Sequence, residues 1–198
     1  VRIQPGSGVH DLLAADETLA RRLAAAPCQV VIGARSGSKS GDFRIAEGLP
    51  PGPLADGAGL RVRSVESLRP GVSMRVRGAA LAGHARAWRE HVDVDAATEV
   101  LARFDDGGAA VLRRGRMRFL TATFDSALFD AIIAAAASDA GLPASRLPEG
   151  LRMRRRGRVQ FAIHSGPGRV RVPAADGVTW LLGGPELDPA GVAAWIVD

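Results

Sequence analysis

The sequence predicts an α/β domain over residues 1–145, followed by a small antiparallel β-sandwich domain over residues 150–198. Two observations support this division. Near the start of the chain, strand-like and helix-like segments alternate, which is typical of an α/β layer. From Leu151 onward, apolar and polar residues alternate one by one between turns that contain Gly or Pro, which is typical of an antiparallel sheet with one face on a core.

The first segments have the order strand, helix, strand. Residues 1–4 fit a short strand. Residues 11–26 place leucines near one face of a helix, which ends at Pro27. Residues 29–33 form a short apolar run, as expected for a strand that is buried on both faces of a parallel sheet.

The rest of the first domain contains further strand-like segments and one helix. An Asp-Asp-Gly-Gly sequence after Phe104 is suited to a hairpin turn, because Asp and Gly tolerate positive φ. Ser126 is placed to cap the helix and Gly141 to end it. The predicted strands are 60–65, 72–76, 99–104, 109–112 and 117–123, and the predicted helix is 126–140.

The second domain begins with a regular alternation. We expect its odd-numbered apolar residues to face a core and its even-numbered polar residues to face water. The odd-numbered set is Leu151, Met153, Val159, Phe161 and Ile163, and the arginines among the even-numbered set are Arg152, Arg154, Arg156 and Arg158.

Composition argues against several classes of partner. The chain has 198 residues and a net charge of +5, but Lys39 is its only lysine, aromatic residues make up 5%, and Tyr is absent. A surface for nucleic acid would gather charge beside aromatic stacking partners, so no nucleic-acid partner is expected. No apolar run approaches the roughly 18–20 residues that span a bilayer. Cys28 is the single cysteine, which excludes an intrachain disulfide and fits a cytoplasmic protein.

Candidate chemical motifs are weak throughout the chain. Residues 35–39 follow a strand but match neither phosphate-loop spacing, which leaves an anion site as the minor alternative. Cys28 precedes its strand, so we expect a small buried hydrophobe instead of a nucleophile. The cluster of His84, His91, Asp93 and Asp95 lacks metal-site spacing and is expected to be solvated surface. We therefore expect no catalytic, cofactor-binding or metal-binding residues.

One long segment carries a family resemblance. Residues 30–53, VVIGARSGSKSGDFRIAEGLPPGP, closely resemble the trimerisation domain of glycoside hydrolase family 42 β-galactosidases. The resemblance continues through VESLRP at 65–70, the Trp88-Arg89-Glu90 element and the turn at 104–110, where Ala109 stands in place of the usual Pro. The segment from Gly150 onward resembles the small C-terminal β domain of the same family.

The resemblance implies a partial flavodoxin-like domain, similar to class I glutamine amidotransferases but without their nucleophile. It also implies a parent enzyme that hydrolyses terminal β-D-galactosides with retention, using two glutamates on a (β/α)₈ barrel. No barrel motif occurs in this sequence, so neither glutamate can be assigned here. The expected partners are two further copies in a homotrimer and the catalytic barrel.

Residues 35–54, called the arm below, are too long and too rich in Pro for a simple connection. We expect the arm to join subunits, with Phe43 or Trp88 as an anchor. Two other functions stay open: a stand-alone amidotransferase-like hydrolase that depends on Cys28, and a nucleic-acid or polyanion binder. The possible interface residues are Arg35, Ser38, Lys39, Asp42, Phe43, Arg44, Pro50, Pro51 and Trp88.

Overall fold

The computed structural model describes residues 16–40, 42, 44–45, 48–142 and 147–197. The chain divides near residue 145 into two compact units. The strand predicted at residues 1–4 and the interface residue Phe43 lie outside the described residues. No helix in the described part of the chain is long and apolar enough to cross a membrane.

The first unit contains three α-helices, a short 3₁₀ turn and eight strands among the described residues. The helices are α1 (Glu17–Ala24), α2 (Ala55–Ala58) and α3 (Ser126–Asp139), and the 3₁₀ turn is Gly52–Leu54. The strands are β1 (Val30–Ile32), β2 (Leu60–Ser67), β3 (Met74–Gly78), β4 (Ala82–Val94), β5 (Glu99–Phe104), β6 (Ala109–Arg114), β7 (Met117–Leu120) and β8 (Ala122–Phe124).

These strands form one sheet in the order β1-β7-β6-β5-β3-β4-β2, with β8 beside β4. Only the β1–β7 pair is parallel among the strand pairs that the structure describes. Short hairpin connections force antiparallel pairing, whereas a parallel pair needs a longer crossover. The unit is therefore mostly antiparallel β with few helices, where the sequence predicted an alternating α/β layer.

Strand β4 was not predicted from the sequence, although it is the longest of the described strands. It runs for 13 residues and pairs with β2, β3 and β8. Its many charged residues hide it from a search for apolar alternation. His84 and His91 therefore lie on a strand, and each contacts a different carboxylate: Asp125 at 3.4 Å and Glu66 at 3.3 Å.

Helix α3 packs its buried side on the sheet through Leu128 and Ile132. The residue that caps it is Asp125, one position before the Ser126 expected from the sequence. Asp125 accepts from the backbone N–H of Leu128 at 2.9 Å and from the backbone N–H of His84 at 2.8 Å. One carboxylate oxygen of Asp125 thus caps α3, and the other accepts a hydrogen bond from the backbone of β4.

The second unit is all β in its described part. A four-stranded sheet has the order β12-β14-β10-β9, and β11 pairs with β13. The strands are β9 (Leu151–Arg156), β10 (Val159–His164), β11 (Val170–Arg171), β12 (Trp180–Leu182), β13 (Glu186–Leu187) and β14 (Val192–Ile196).

The predicted core face of this sheet is wrong on β10. Strands β9 and β10 are joined by the two residues Gly157 and Arg158, and odd-numbered residues of one strand stand opposite even-numbered residues of the other. Leu151 and Met153 therefore share a face with His164 and Ala162, and that face is the core. The apolar side chains of Phe161 and Ile163 point the other way and are 36% and 53% exposed.

Candidate functional site

The arm begins in two tight turns directly after β1. The backbone N–H of Ser38 donates to the carbonyl of Arg35 at 3.2 Å, and the Ser38 hydroxyl donates to the same carbonyl at 2.7 Å. Arg35 has a φ of +68° and Gly37 a φ of +73°. A positive φ is uncommon for a residue with a side chain, so outside contacts must hold Arg35 in place.

One such contact comes from the middle of the sheet. The backbone N–H of Arg35 donates to Glu90 Oε1 at 2.9 Å. Glu90 is 1% exposed, and its Oε2 has no hydrogen-bond partner among the described residues. Burial raises the pKa of the Glu90 carboxyl to about 7, although the hydrogen bond from Arg35 and the charge of Arg35 oppose this shift.

A second contact involves the side chain of Arg35. Its guanidinium carbon lies 5.8 Å from the centre of the Trp88 ring, two residues before Glu90 on β4. A guanidinium at this distance is attracted by the negative face of an aromatic ring. Trp88 and Glu90 thus hold the same residue of the arm, one by its side chain and the other by its backbone.

The far end of the arm returns to its beginning. A Cβ atom added to Gly37 would lie 1.9 Å from the carbonyl oxygen of Pro51. Only glycine therefore fits where the two ends of the arm pass each other. Pro51 is buried, and the Pro50 carbonyl accepts from the backbone N–H of Val62 on β2 at 2.7 Å. Leu54, at the end of the arm, is completely buried in the core that also holds Val62.

The described residues in the middle of the arm are mostly exposed. Lys39 and Ile45 form an isolated antiparallel bridge, and the backbone N–H of Ser40 donates to the carbonyl of Arg44 at 2.9 Å. Arg44 also contacts Asp42 at 3.0 Å in an exposed ion pair. Ile45 is 80% exposed, and Leu49 is 56% exposed. The arm is therefore held at both ends and presents apolar side chains between them.

The expected interface residues thus fall into two groups. Arg35, Ser38, Pro50, Pro51 and Trp88 are half-buried or buried and build the base of the arm. Asp42 and Arg44 are exposed in the middle of the arm, and Lys39 is half-buried. Ile45 and Leu49 were not among the interface residues expected from the sequence, and only their exposure in the folded chain identifies them as candidates.

Glu90 holds the arm, although the sequence indicated no part for it in the site. It stood in the Trp88-Arg89-Glu90 element, but no role was predicted for it. Arg89, its neighbour, is 4% exposed, contacts Asp106 at 2.6 Å and stacks over Phe104 at 4.4 Å. Charged residues inside an otherwise half-buried strand are the signal that could have drawn attention to both.

The other candidate motifs assemble no site in the described part of the chain. Cys28 is half-buried, so it is less enclosed than the sequence predicted, and it precedes β1. Among the described residues, no group of three or more His, Cys, Asp or Glu side chains could hold a metal. Asp93 and Asp95 contact Arg63 and Arg114 respectively.

Comparison with known proteins gives a consistent set of matches. Residues 11–143 match the family described as the β-galactosidase trimerisation domain. A β-galactosidase of Thermus thermophilus and β-galactosidase BgaA of a Thermus species are each 42% identical over 166 residues, covering 84% of this chain. The chain spans about a quarter of the length of these relatives, 25% in both cases.

Solved structures show the same similarity. The β-galactosidase of the psychrophilic Marinomonas ef1 superimposes with a TM-score of 0.83 at 30% identity, covering 94% of this chain and 28% of that chain. The β-galactosidase of the haloarchaeon Halorubrum lacusprofundi gives a TM-score of 0.80 at 29% identity, covering 94% of this chain and 30% of that chain.

Proposed function

Because the chain belongs to the family of β-galactosidase trimerisation domains, we propose that it assembles a homotrimeric β-galactosidase and takes no part in bond cleavage. The reaction would be the retaining hydrolysis of terminal β-D-galactosides. Its catalytic barrel would correspond to the part of the relatives' length that this chain does not span. The coverage of only 25% of the Thermus proteins supports this division of labour.

The observation that carries the proposal is the exposure of Ile45 and Leu49 on an arm that is held at both ends. Exposed apolar side chains on a braced loop lose little conformational entropy when a partner covers them, which favours association. At their exposures of 80% and 56%, both side chains have apolar area to bury against a neighbour.

We assign the contact with a neighbouring subunit to Lys39, Asp42, Arg44, Ile45 and Leu49. Polar residues around an apolar centre are the usual composition of a protein interface. Arg35, Ser38, Pro50, Pro51 and Trp88 would act indirectly, because they fix the direction in which the arm projects. Phe43, expected from the sequence as an anchor, remains a candidate for the same contact and lies outside the described residues.

Sedimentation velocity over a range of protein concentrations tests this assignment. The unmodified chain is expected to form trimers, and the double variant Ile45→Ser, Leu49→Ser is expected to dissociate into monomers. Val72→Ser is the matched control, because Val72 is also apolar and 48% exposed but lies in the turn before β3. A monomer at every concentration, or a double variant that stays trimeric, would show that the arm does not join subunits.

We assign residues 150–198 to the small C-terminal β domain of the same enzymes, and residues 1–145 to the trimerisation domain. The 94% coverage in the Marinomonas comparison supports a shared origin for both parts, since the matched region extends beyond residue 143.

We infer that the first unit is a partial flavodoxin-like, amidotransferase-like domain. The parallel β1–β7 pair and the contacts of helix α3 with β1 and β4 support this inference. The lone Cys28 favours a cytoplasmic location, where disulfides are rare. An independent amidotransferase-like hydrolase and a polyanion binder gain no support from the β-galactosidase matches.

A further inference from the structure

The outer face of the second unit carries a row of arginines. Arg152, Arg154 and Arg156 are exposed and point to the same side of β9, because alternate residues of a strand share a face. None of the three makes a side-chain hydrogen bond or an ion pair within the described part of the chain. By strand geometry their Cα atoms follow one another at about 7 Å.

Strand β9 is also an edge strand. It pairs with β10 over all six of its residues without a bulge, and no strand among the described residues pairs with its other side. In an antiparallel ladder every second residue directs its N–H and C=O away from the paired neighbour. The free side of β9 therefore offers backbone hydrogen-bonding groups to an added strand.

We propose that β9 is a docking site for an extended acidic protein segment with a carboxylate at every second position. Such a segment would continue the sheet through backbone hydrogen bonds. Its carboxylates would lie directly opposite Arg152, Arg154 and Arg156, because directly opposed residues of neighbouring strands share a face.

The surroundings of the arginines favour this partner. Arg152 stands opposite Ile163, and Arg154 stands opposite Phe161, both exposed apolar residues of β10. Guanidinium groups beside apolar side chains have fewer water molecules around them, which strengthens an ion pair with a carboxylate.

The same arginines exclude a second copy of this strand. Antiparallel pairing of β9 with itself would bring arginine rows together on one face, and like charges directly opposite one another destabilise a sheet. The charge of the row thus selects an acidic segment.

The proposal is tested with the whole 198-residue chain and labelled synthetic peptides. The first peptide has Glu at alternate positions with Val between them. The second has the same composition with its Glu residues adjacent, and the third has Lys in place of Glu. Fluorescence anisotropy is expected to show that the first peptide binds about tenfold more tightly than the second, as expected for three exposed cross-strand ion pairs.

Charge reversal provides the second arm of the test. The triple variant Arg152→Glu, Arg154→Glu, Arg156→Glu is expected to lose its affinity for the first Glu peptide and to bind the Lys peptide instead. Arg155→Glu is the matched control, because Arg155 lies on the same strand but points to the opposite face. It is expected to keep the preference of the unmodified chain.

Two further measurements keep the result interpretable. Circular dichroism checks that each variant folds, and the milder variant Arg154→Gln is expected to weaken the Glu peptide about threefold if the triple variant does not fold. Hydrogen exchange is expected to slow at β9 when the peptide binds. Equal binding of the two Glu peptides, or binding unchanged by the arginine substitutions, would overturn the proposal.

Discussion

The carboxylate of Glu90 accepts a hydrogen bond from the backbone N–H of Arg35 at 2.9 Å, across 55 positions of sequence. Through this contact a strand in the sheet holds the first turn of the arm. The free oxygen of the same carboxyl is buried with no partner in the described part of the chain, so its protonation affects the stability of the folded unit.

We expect stability to depend on pH through Glu90. Burial raises its folded-state pKa from 4.5 to about 7, so the folded chain holds a proton that the unfolded chain releases between these values. The free energy of unfolding is then greatest below pH 4.5 and falls as pH rises toward and through 7, by about 3 kcal/mol in total for this group.

Urea denaturation of the unmodified chain and of Glu90→Gln between pH 5 and pH 8 measures this effect. The Gln variant cannot ionise, so the part of the fall in unfolding free energy with pH that Glu90 causes is expected to disappear. Equal slopes for the two proteins would show that Glu90 does not titrate in this range.

Gly37→Ala is expected to destabilise the first unit by about 2–3 kcal/mol. The added Cβ would overlap the Pro51 carbonyl, and Gly37 has a positive φ that alanine adopts at a cost. Gly33→Ala is the control, since nothing lies within 4 Å of a Cβ at that position. Thermal unfolding measures the stability of both variants. Similar decreases in stability would contradict the close contact between Gly37 and the Pro51 carbonyl.

Asp139→Ala is expected to reduce stability by about 1–2 kcal/mol. It removes a carboxylate partner from Arg118, whose side chain is 2% exposed and otherwise contacts Gln29 at 2.6 Å. A buried charge that loses its partner is costly, although the 39% exposure of Asp139 limits the loss.

Replacing both residues, as in Arg118→Met with Asp139→Ala, is expected to restore part of this loss, because an apolar side chain then fills the site. Asp105→Ala, which breaks an exposed ion pair with Arg77 at 3.5 Å, is expected to change stability by less than about 1 kcal/mol. Denaturant titration of the four proteins provides the comparison, and a double variant less stable than Asp139→Ala would argue against a buried charge as the cause.

The second unit offers a direct test of its inverted pattern. Leu151→Ala is expected to cost about 2–4 kcal/mol, because Leu151 is 1% exposed in the core. Ile163→Ala is expected to cost less than about 1 kcal/mol, because that side chain is 53% exposed. Unfolding followed by Trp fluorescence is suited to this unit, since Trp180 and Trp195 pack together in it at 5.1 Å. Equal losses would place Ile163 in the core after all.

The sequence alone was sufficient for features that depend on local chemistry. Helix α3 and the strands around the Asp-Asp-Gly-Gly turn follow from short-range patterns, and the alternation after Leu151 indicated a β structure there. The arm was visible as a long segment rich in Gly and Pro, and its motifs led to the family that the comparisons confirm.

Tertiary structure alone decided the remaining features. Strand β4 contains too many charges to be found from apolar alternation, and it exists because neighbouring strands satisfy its backbone. The two-residue turn between β9 and β10 reversed which parity faces the core, so Phe161 and Ile163 became exposed. Glu90 gained its role because folding placed it beside Arg35, and no local pattern encodes a contact across 55 residues.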